Sequence, residues 1–414
     1  MKTMGWIAAA VVAVLLAAPT SQAQEDRLWG EVITVDGDVY EGFIRWDRNE
    51  VGWADLLNGS REIDWRDRAD WEYAAGAEPE SRERSIEFLG IRISWDDDES
   101  LFPSSGESGI RFGHIDRLTV TDRQGAMLRL RSGEMVEFRN GSTDIGTDIR
   151  EILVEDPDRG MVELGWEDLD EISFREAPRR ARPRSERLYG TVEDRRGNSY
   201  TGYISWDLDE VLTEDILDGD EDGRDREVPF SQIGAIERTG FRGSLVTLVD
   251  GTEMRLEGSN DVDDGHRGVQ VSDPAVGQIE IPWDEFEAIR FHRPDLSAHR
   301  SDFDGGRRLY GTVETESGDR FTGFIRWDAD EAYTWEILDG SSRDIVYDIE
   351  FGEIERIERN SFFGADVTLR DGRVIELEDS NDVDEGNRGI FIETESGEKI
   401  IVDWLAFRSV TFDG

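Results

Sequence analysis

The sequence contains no cysteine, and its only lysines are Lys2 and Lys399. Without cysteine the chain has no disulfide, no thiol nucleophile and no lipid-modified cysteine, so packing alone must stabilise its folded parts. Its 4 histidines lack the spacing of a zinc site. No phosphate-binding loop, dinucleotide-binding glycine motif or serine nucleophile motif is present. We therefore predict that the protein is not an enzyme.

Positive charge is also scarce. The chain has 95 Asp and Glu residues against 47 Lys and Arg residues, and its formal net charge is -48. A field of this sign repels phosphate backbones and anionic lipid surfaces, so we expect neither nucleic acid nor a membrane surface as a partner. It favours cations, basic partners or solubility in salt. A protein or glycan partner in the cell envelope is compatible with it.

Long apolar runs are absent after the first few residues. Residues 1–23 have the features of a signal peptide: Lys2, an apolar run from Ile7 to Ala18, and small residues at Ser21 and Ala23. The run is short for a membrane span, and an uncleaved anchor is the alternative. We expect a secreted or periplasmic chain that starts at Gln24 and has no membrane span after cleavage.

One motif recurs three times in the remaining chain. It occurs as Gly42–Asp47, Gly202–Asp207 and Gly323–Asp328, with the sequences GFIRWD, GYISWD and GFIRWD. The surrounding residues recur as well, and internal repeats fix every later boundary. The predicted organisation is repeat unit 1 at 27–174, a Pro/Arg-rich linker at 175–186, unit 2 at 187–291, a linker at 292–307, and unit 3 at 308–412. Unit 1 carries an insertion at about 66–108.

Each unit is predicted to consist of strands and turns. In unit 3, short β-prone runs flank hairpin turns at Ser317–Asp319 and Asp371–Gly372, and Asp348–Ile357 fits two strands with a break near Gly352. Each unit also divides into two related halves of about fifty residues. Strands that end in a tight helical turn and one last strand resemble small SH3-like or Sm-like barrels. The predicted fold class is all-β, with three units that are each a pair of such barrels; propeller-like or sandwich repeats are the alternatives.

Two acidic loops are the candidate metal sites. In unit 2 the loop contains Asp261 and Asp263, and in unit 3 it contains Asp382 and Asp384. Alternating carboxylates before a glycine can surround Ca²⁺, which prefers oxygen ligands. The alternative is a structural turn in which Asp caps backbone N–H groups and pairs with the following Arg. Unit 1 has Gly146 in place of the second Asp, which favours the structural role.

The leading functional hypothesis is a non-enzymatic binding or scaffold protein of the cell envelope. The first alternative is a calcium-stabilised adhesion or carbohydrate-binding module. The second is a glycoside hydrolase that uses two carboxylates, which so acidic a sequence cannot exclude. The repeated Trp46, Trp206 and Trp327 could line a carbohydrate groove, although a strand position more simply makes them core residues.

Overall fold

The computed structural model describes residues 25–62, 71, 84–88, 91–95, 105–139, 142–294 and 297–414. The predicted signal peptide and most of the predicted insertion lie outside these residues. Within the described ranges, no helix has the length and apolar character needed to cross a membrane.

The fold is all-β, as predicted, and its strands are described below as three sets. The first strand set comprises β1 (Trp29–Thr34), β2 (Val39–Trp46), β3 (Leu56–Glu62), β4 (Arg84–Phe88), β5 (Ile91–Trp95), β6 (Ser105–Arg111), β7 (Ile115–Asp122), β8 (Gly125–Leu130), β9 (Met135–Arg139), β10 (Ile152–Asp156), β11 (Gly160–Leu164) and β12 (Leu169–Phe174). The second comprises β13 (Tyr189–Asp194), β14 (Ser199–Trp206), β15 (Ile216–Asp220), β16 (Asp225–Pro229), β17 (Ile233–Arg238), β18 (Gly243–Leu248), β19 (Glu253–Glu257), β20 (Val269–Asp273), β21 (Gly277–Ile281) and β22 (Phe286–Phe291). The third comprises β23 (Tyr310–Thr315), β24 (Arg320–Trp327), β25 (Ile337–Ser342), β26 (Ile345–Glu350), β27 (Ile354–Arg359), β28 (Gly364–Leu369), β29 (Val374–Glu378), β30 (Ile390–Thr394), β31 (Lys399–Val402) and β32 (Phe407–Phe412). The described residues also include 3-10 helices at Phe112–His114, Trp166–Asp168, Phe230–Gln232, Arg300–Asp302 and Phe351–Glu353.

The strands pair in two large antiparallel sheets. The first set forms a 10-stranded sheet with the order β11-β10-β2-β1-β12-β7-β8-β9-β3-β6, and β4 pairs with β5 as a separate hairpin within the predicted insertion. The second set pairs in the order β21-β20-β14-β13-β22-β17-β18-β19-β15-β16. The third pairs in the order β31-β30-β24-β23-β32-β27-β28-β29-β25-β26.

The second and third sets share one 20-stranded sheet because the end strand β21 pairs with the end strand β26. At each of its two edges, each sheet ends on a strand that pairs with only one other strand, so neither sheet closes into a barrel. The predicted small barrels are therefore not confirmed. The reason is that the two end strands of each set do not pair with each other, and β21 pairs with β26 of the third set instead.

Buried and partly exposed residues alternate along the strands and show which face of each strand packs against the core. In β23, Gly311, Val313 and Thr315 are buried, while Tyr310 and the other intervening residues are partly exposed. This period of two is the pattern of a strand with one face against a core. The predicted turns also form: residues 316–319 connect β23 to β24, and the 3-10 helix Phe351–Glu353 lies between β26 and β27.

The segment that joins the second set to the third packs against the first. Ala298 and Phe303 are buried there, with 1% and 5% of their surfaces exposed. The Phe303 ring lies 5.1 Å from the ring of His114. A Cβ atom added to Gly113 would lie 2.1 Å from Phe303 Cδ2, so only glycine fits beneath this ring. Ala298 and Phe303 of the predicted linker thus belong to the core of the first sheet.

Candidate functional site

The structure places two of the predicted metal ligands in the interior. Asp261 and Asp382 are 5% and 2% exposed. The Oδ2 atom of Asp261 accepts the backbone N–H of Asp218 at 2.7 Å, and Oδ2 of Asp382 accepts that of Asp339 at 3.0 Å. Each carboxylate therefore holds its own loop against the strand that follows the Trp-Asp turn, which is the structural role considered above.

The other two predicted ligands form local turns. Asp263 Oδ1 accepts the N–H of Gly265 at 2.9 Å, and Asp384 Oδ1 accepts that of Gly386 at 2.7 Å. Among the residues that the structure describes, no group of three or more His, Asp or Glu side chains is arranged to hold a metal ion. The structure thus assigns backbone partners to all four carboxylates, and calcium binding stays a prediction.

The repeated tryptophans belong to the core. Trp46, Trp206 and Trp327 are fully buried. Their Nε1–H groups donate to the backbone carbonyls of the first Asp of the acidic loops: Asp144 at 3.0 Å, Asp261 at 3.0 Å and Asp382 at 2.9 Å. A buried indole needs such an acceptor. The repeated motif and the acidic loop are therefore two sides of one structural contact, and no tryptophan of this motif faces a groove.

A tight turn follows each of these tryptophans. Asp47, Asp207 and Asp328 adopt positive φ angles of 41°, 47° and 42°. In the second set, Asp207 Oδ1 accepts the backbone N–H of Arg267 at 2.5 Å, and its Oδ2 lies 3.1 Å from Nη2 of the same arginine. These bonds stabilise a backbone conformation that a non-glycine residue otherwise adopts rarely. The predicted pairing of Asp with the loop arginine therefore uses the Asp of the Trp-Asp motif.

Each turn carries a glutamate with an enclosed carboxyl oxygen, which the sequence analysis missed. In Glu50, Glu210 and Glu331 the Oε2 atom is enclosed and has no hydrogen-bond partner. Burial, and then the charges of Asp261 and Asp207, raise the pKa of the Glu210 carboxyl to about 8. Burial likewise raises the pKa of Glu50 and Glu331 well above the usual range. The sequence does contain a signal for these glutamates, because a Glu follows the Trp of the repeated motif by four positions in all three copies.

Arginines join the strand sets through equivalent carboxylates. Asp55 of the first set lies 2.5 Å from Nη2 of Arg187 in the second. Asp215 of the second set lies 2.9 Å from Nη1 of Arg45 in the first. Glu336 of the third set pairs with Arg61 of the first. The three sets are thereby held against one another by pairs that are largely shielded from water.

A cleft of about 410 Å³ lies where the second and third sets meet, and we call it the tyrosine cleft. Tyr200 and Tyr347 contribute its aromatic surface, and Tyr347 is 7% exposed. Burial, and then the neighbouring Tyr347, raise the pKa of the Tyr200 phenol. The complete lining is Asp194, Arg196, Asn198, Ser199, Tyr200, Val276, Ile279, Ser342, Arg343, Ile345, Tyr347, Arg373, Val374, Ile375 and Glu376.

Hydrogen bonds fix the wall of the tyrosine cleft. The buried Asp194 carboxylate accepts the Tyr200 hydroxyl at 3.1 Å and the Asn198 side-chain amide at 2.8 Å. It also accepts the backbone N–H of Arg196 at 2.9 Å. From the third set, the guanidinium of Arg373 is held 2.7 Å from Asp273 Oδ2. The polar groups around the cleft are therefore ordered before any ligand arrives.

A second cavity, of about 350 Å³, lies between the first and third sets, and we call it the acidic cavity. Five carboxylates line it, from Glu107, Glu331, Glu336, Asp339 and Asp348. Burial and the charge of Asp339 raise the pKa of Asp348 to about 7. Burial also raises the pKa of Glu331 and Glu336, so the protonated form of these carboxyl groups is favoured relative to an exposed one.

Comparison with known proteins gives no relative from which a function could be transferred. No protein-family description, curated protein or solved structure matches the chain.

Proposed function

We propose that the protein is a secreted or periplasmic, non-enzymatic scaffold of the cell envelope that binds a glycan in the tyrosine cleft. Its organisation in this proposal is three β-repeat units, 27–174, 187–291 and 308–412, each related to small SH3-like or Sm-like barrels. The common pairing order of the three strand sets supports the repeat.

The tyrosine cleft is the observation that carries the glycan proposal. Ligand sites combine apolar and aromatic surface with a few well-placed polar groups. A sugar offers both an apolar ring face and hydroxyl groups, and Tyr200 and Tyr347 lie beside the planar side chains of Asn198 and Arg373. The guanidinium fork can donate two parallel hydrogen bonds to neighbouring oxygens. Because Asp194 and Asp273 hold these groups in place, little side-chain freedom is lost on binding.

The experiment measures binding of the mature chain (residues 24–414) to an array of bacterial envelope oligosaccharides, followed by calorimetry on the best binder. Asn198→Ala and Arg373→Ala should each weaken binding by about tenfold, the effect of one good hydrogen bond to a charged or planar group. Arg356→Ala is the matched control, since Arg356 lies on the surface and pairs with Glu358. Binding that is absent, or that the control and cleft variants change equally, would overturn the proposal.

The acidic cavity supports a second candidate, a carboxylate-based glycoside hydrolase. Glycosidases need one protonated and one ionised carboxyl group, and the raised pKa of Glu331 would supply the acid. Hydrolysis of nitrophenyl glycosides by the mature chain, abolished by Glu331→Gln, would establish this activity. Unchanged hydrolysis in that variant, or none in the parent chain, would rule this assignment out.

A further inference from the structure

The pairing of β21 with β26 shows how an end strand of this fold accepts another strand. The two strands are antiparallel, with Gly277 opposite Ile349, Gln278 opposite Asp348, Ile279 opposite Tyr347 and Glu280 opposite Val346. Gly277 has a φ of 143°, and a Cβ atom there would lie 1.8 Å from the carbonyl oxygen of Asp348. A glycine at this position therefore lets the second strand approach.

Strand β11 of the first set has the same construction. It pairs with β10 from Ile152↔Leu164 to Asp156↔Gly160, just as β21 pairs with β20 from Val269↔Ile281 to Asp273↔Gly277. Gly160 occupies the place of Gly277, with a φ of 85°. Among the described residues, β10 is the only strand hydrogen-bonded to β11, so the outer edge of β11 has no backbone partner.

The other three end strands are protected. Strand β16 ends in Pro229 and carries three charged residues, and proline and charges are the usual means of blocking an edge. On β31, Lys399 lies over the ring of Trp71 at 4.7 Å. On β6, a Cβ atom at Gly109 would lie 3.3 Å from Ile337, so the third set covers it. By contrast, β11 exposes 41% of Met161 and has one charged residue, Glu163.

We propose that β11 pairs antiparallel with β11 of a second copy of the chain, which gives a two-fold symmetric dimer with one continuous sheet. The absence of facing like charges favours this partner. Pairing centred on Val162 places Met161 of each copy opposite Glu163 of the partner subunit, and Val162 opposite itself. No like charges face each other, and a two-fold axis relates the identical edges.

Pairing with β16 or β6 of a second copy would set like charges opposite each other. In the register of β21 with β26, β16 of a second copy would place Asp225 opposite Glu163, and β6 would place Glu107 there. Like charges directly opposite each other on neighbouring strands destabilise the pair. These pairings would also join unlike edges, and such contacts lead to open chains of copies instead of a closed dimer.

Sedimentation equilibrium of the mature chain at physiological salt tests the dimer. Met161→Glu places two carboxylates opposite each other at both ends of the interface and should weaken dimerisation at least about tenfold. The double variant Met161→Glu/Glu163→Arg restores opposite charges and should recover the parent affinity to within about threefold. Met135→Glu is the control, because Met135 is 57% exposed on the inner strand β9 and should change nothing.

Three results would overturn the proposal. One is a monomer at every concentration up to about a hundred micromolar, where a dimer with a micromolar Kd would be largely formed. Another is equal weakening by Met161→Glu and Met135→Glu, or no recovery in the double variant. The third is growth beyond a dimer, which would indicate pairing of unlike edges.

Discussion

His114 Nε2 lies 3.3 Å from Glu350 Oε1 at the place where all three strand sets meet. The backbone N–H of Gly305 donates to His114 Nδ1 at 3.1 Å, so the ring proton is assigned to Nε2 and points at Glu350. The other oxygen of Glu350 lies 3.2 Å from Nε of Arg111, whose Nη1 donates to the carbonyl of Pro274 at 2.9 Å. One buried carboxylate thus joins residues of the first, second and third sets.

Glu350→Gln should destabilise the protein by about 3–5 kcal/mol, because it leaves the buried guanidinium of Arg111 without its counter-charge. The measurement is urea unfolding followed by tryptophan fluorescence. Glu358→Gln is the matched control: Glu358 pairs with Arg356 at the surface, and such pairs contribute less than about 1 kcal/mol. Similar losses in the two variants would contradict the role assigned to Glu350.

Stability should fall as the pH rises from about 5 to about 8. The folded state raises the pKa of Glu210 to about 8 from the ordinary value of 4.5. The folded state therefore binds this proton more tightly than the unfolded state. The stabilisation is complete below the unfolded pKa and is lost as the pH passes the folded pKa. Glu350 acts in the opposite sense, since His114 and Arg111 lower its pKa despite burial, and its contribution is lost in acid.

Urea unfolding at several pH values between 5 and 9 measures this dependence. Glu210→Gln keeps the shape of the side chain and removes the ionisation, so this variant should match the parent near pH 5 and exceed it above pH 8. Glu257→Gln, on the exposed surface of β19, serves as the control. A parent protein that gains stability up to pH 9 would show that folding does not raise the pKa of Glu210.

Asp382→Ala should cost about 1–3 kcal/mol, because the buried N–H of Asp339 loses its acceptor. The loss should be the same in chelator and in calcium, while Asp384→Ala, which breaks only a surface turn, should cost less. Thermal melts with a calcium titration measure both effects. A saturable rise in melting temperature that both variants abolish would establish the metal site predicted from the sequence.

Gly277→Ala should destabilise the protein more than Gly160→Ala by about 1–3 kcal/mol. Both changes place a side chain at a positive φ, which strains the backbone. Only the Cβ at position 277 would collide with the Asp348 carbonyl and separate β21 from β26, an overpacking effect of about 1–3 kcal/mol. Urea unfolding of the two variants gives the comparison, and equal losses would show that this strand pair adapts without cost.

Local structure was largely predictable because its determinants lie close together in the chain. The Asp371–Gly372 turn connects β28 to β29, and the break near Gly352 is a 3-10 helix. Turn chemistry and alternation of apolar residues carry this information within a few residues. The all-β class follows from the same signals.

The pairing of distant strands could not be predicted in this way. Nothing near Gly277 in the sequence indicates that β26 is its neighbour, and the barrel interpretation assumed that the strands of each half-unit close on themselves. The acidic loops show a similar limit. Asp261 has the residue type and spacing of a metal ligand, and only the fold reveals the N–H of Asp218 against its carboxylate. The sequence equally hides that Arg111 and Glu350 are neighbours.

The position of Phe303 sets an order for folding during synthesis. The first strand set leaves the ribosome before Phe303, which lies about 190 positions after Gly113 and packs over it. The Arg131 guanidinium also donates to the Phe303 carbonyl, across a separation of 172 positions in the chain. The core of the first sheet thus stays open at its Gly113–His114 surface while the whole second set is made. Contacts of such long range slow folding and leave apolar surface exposed to other chains. The contacts around Gly113 are therefore completed only after the segment before β23 has been made.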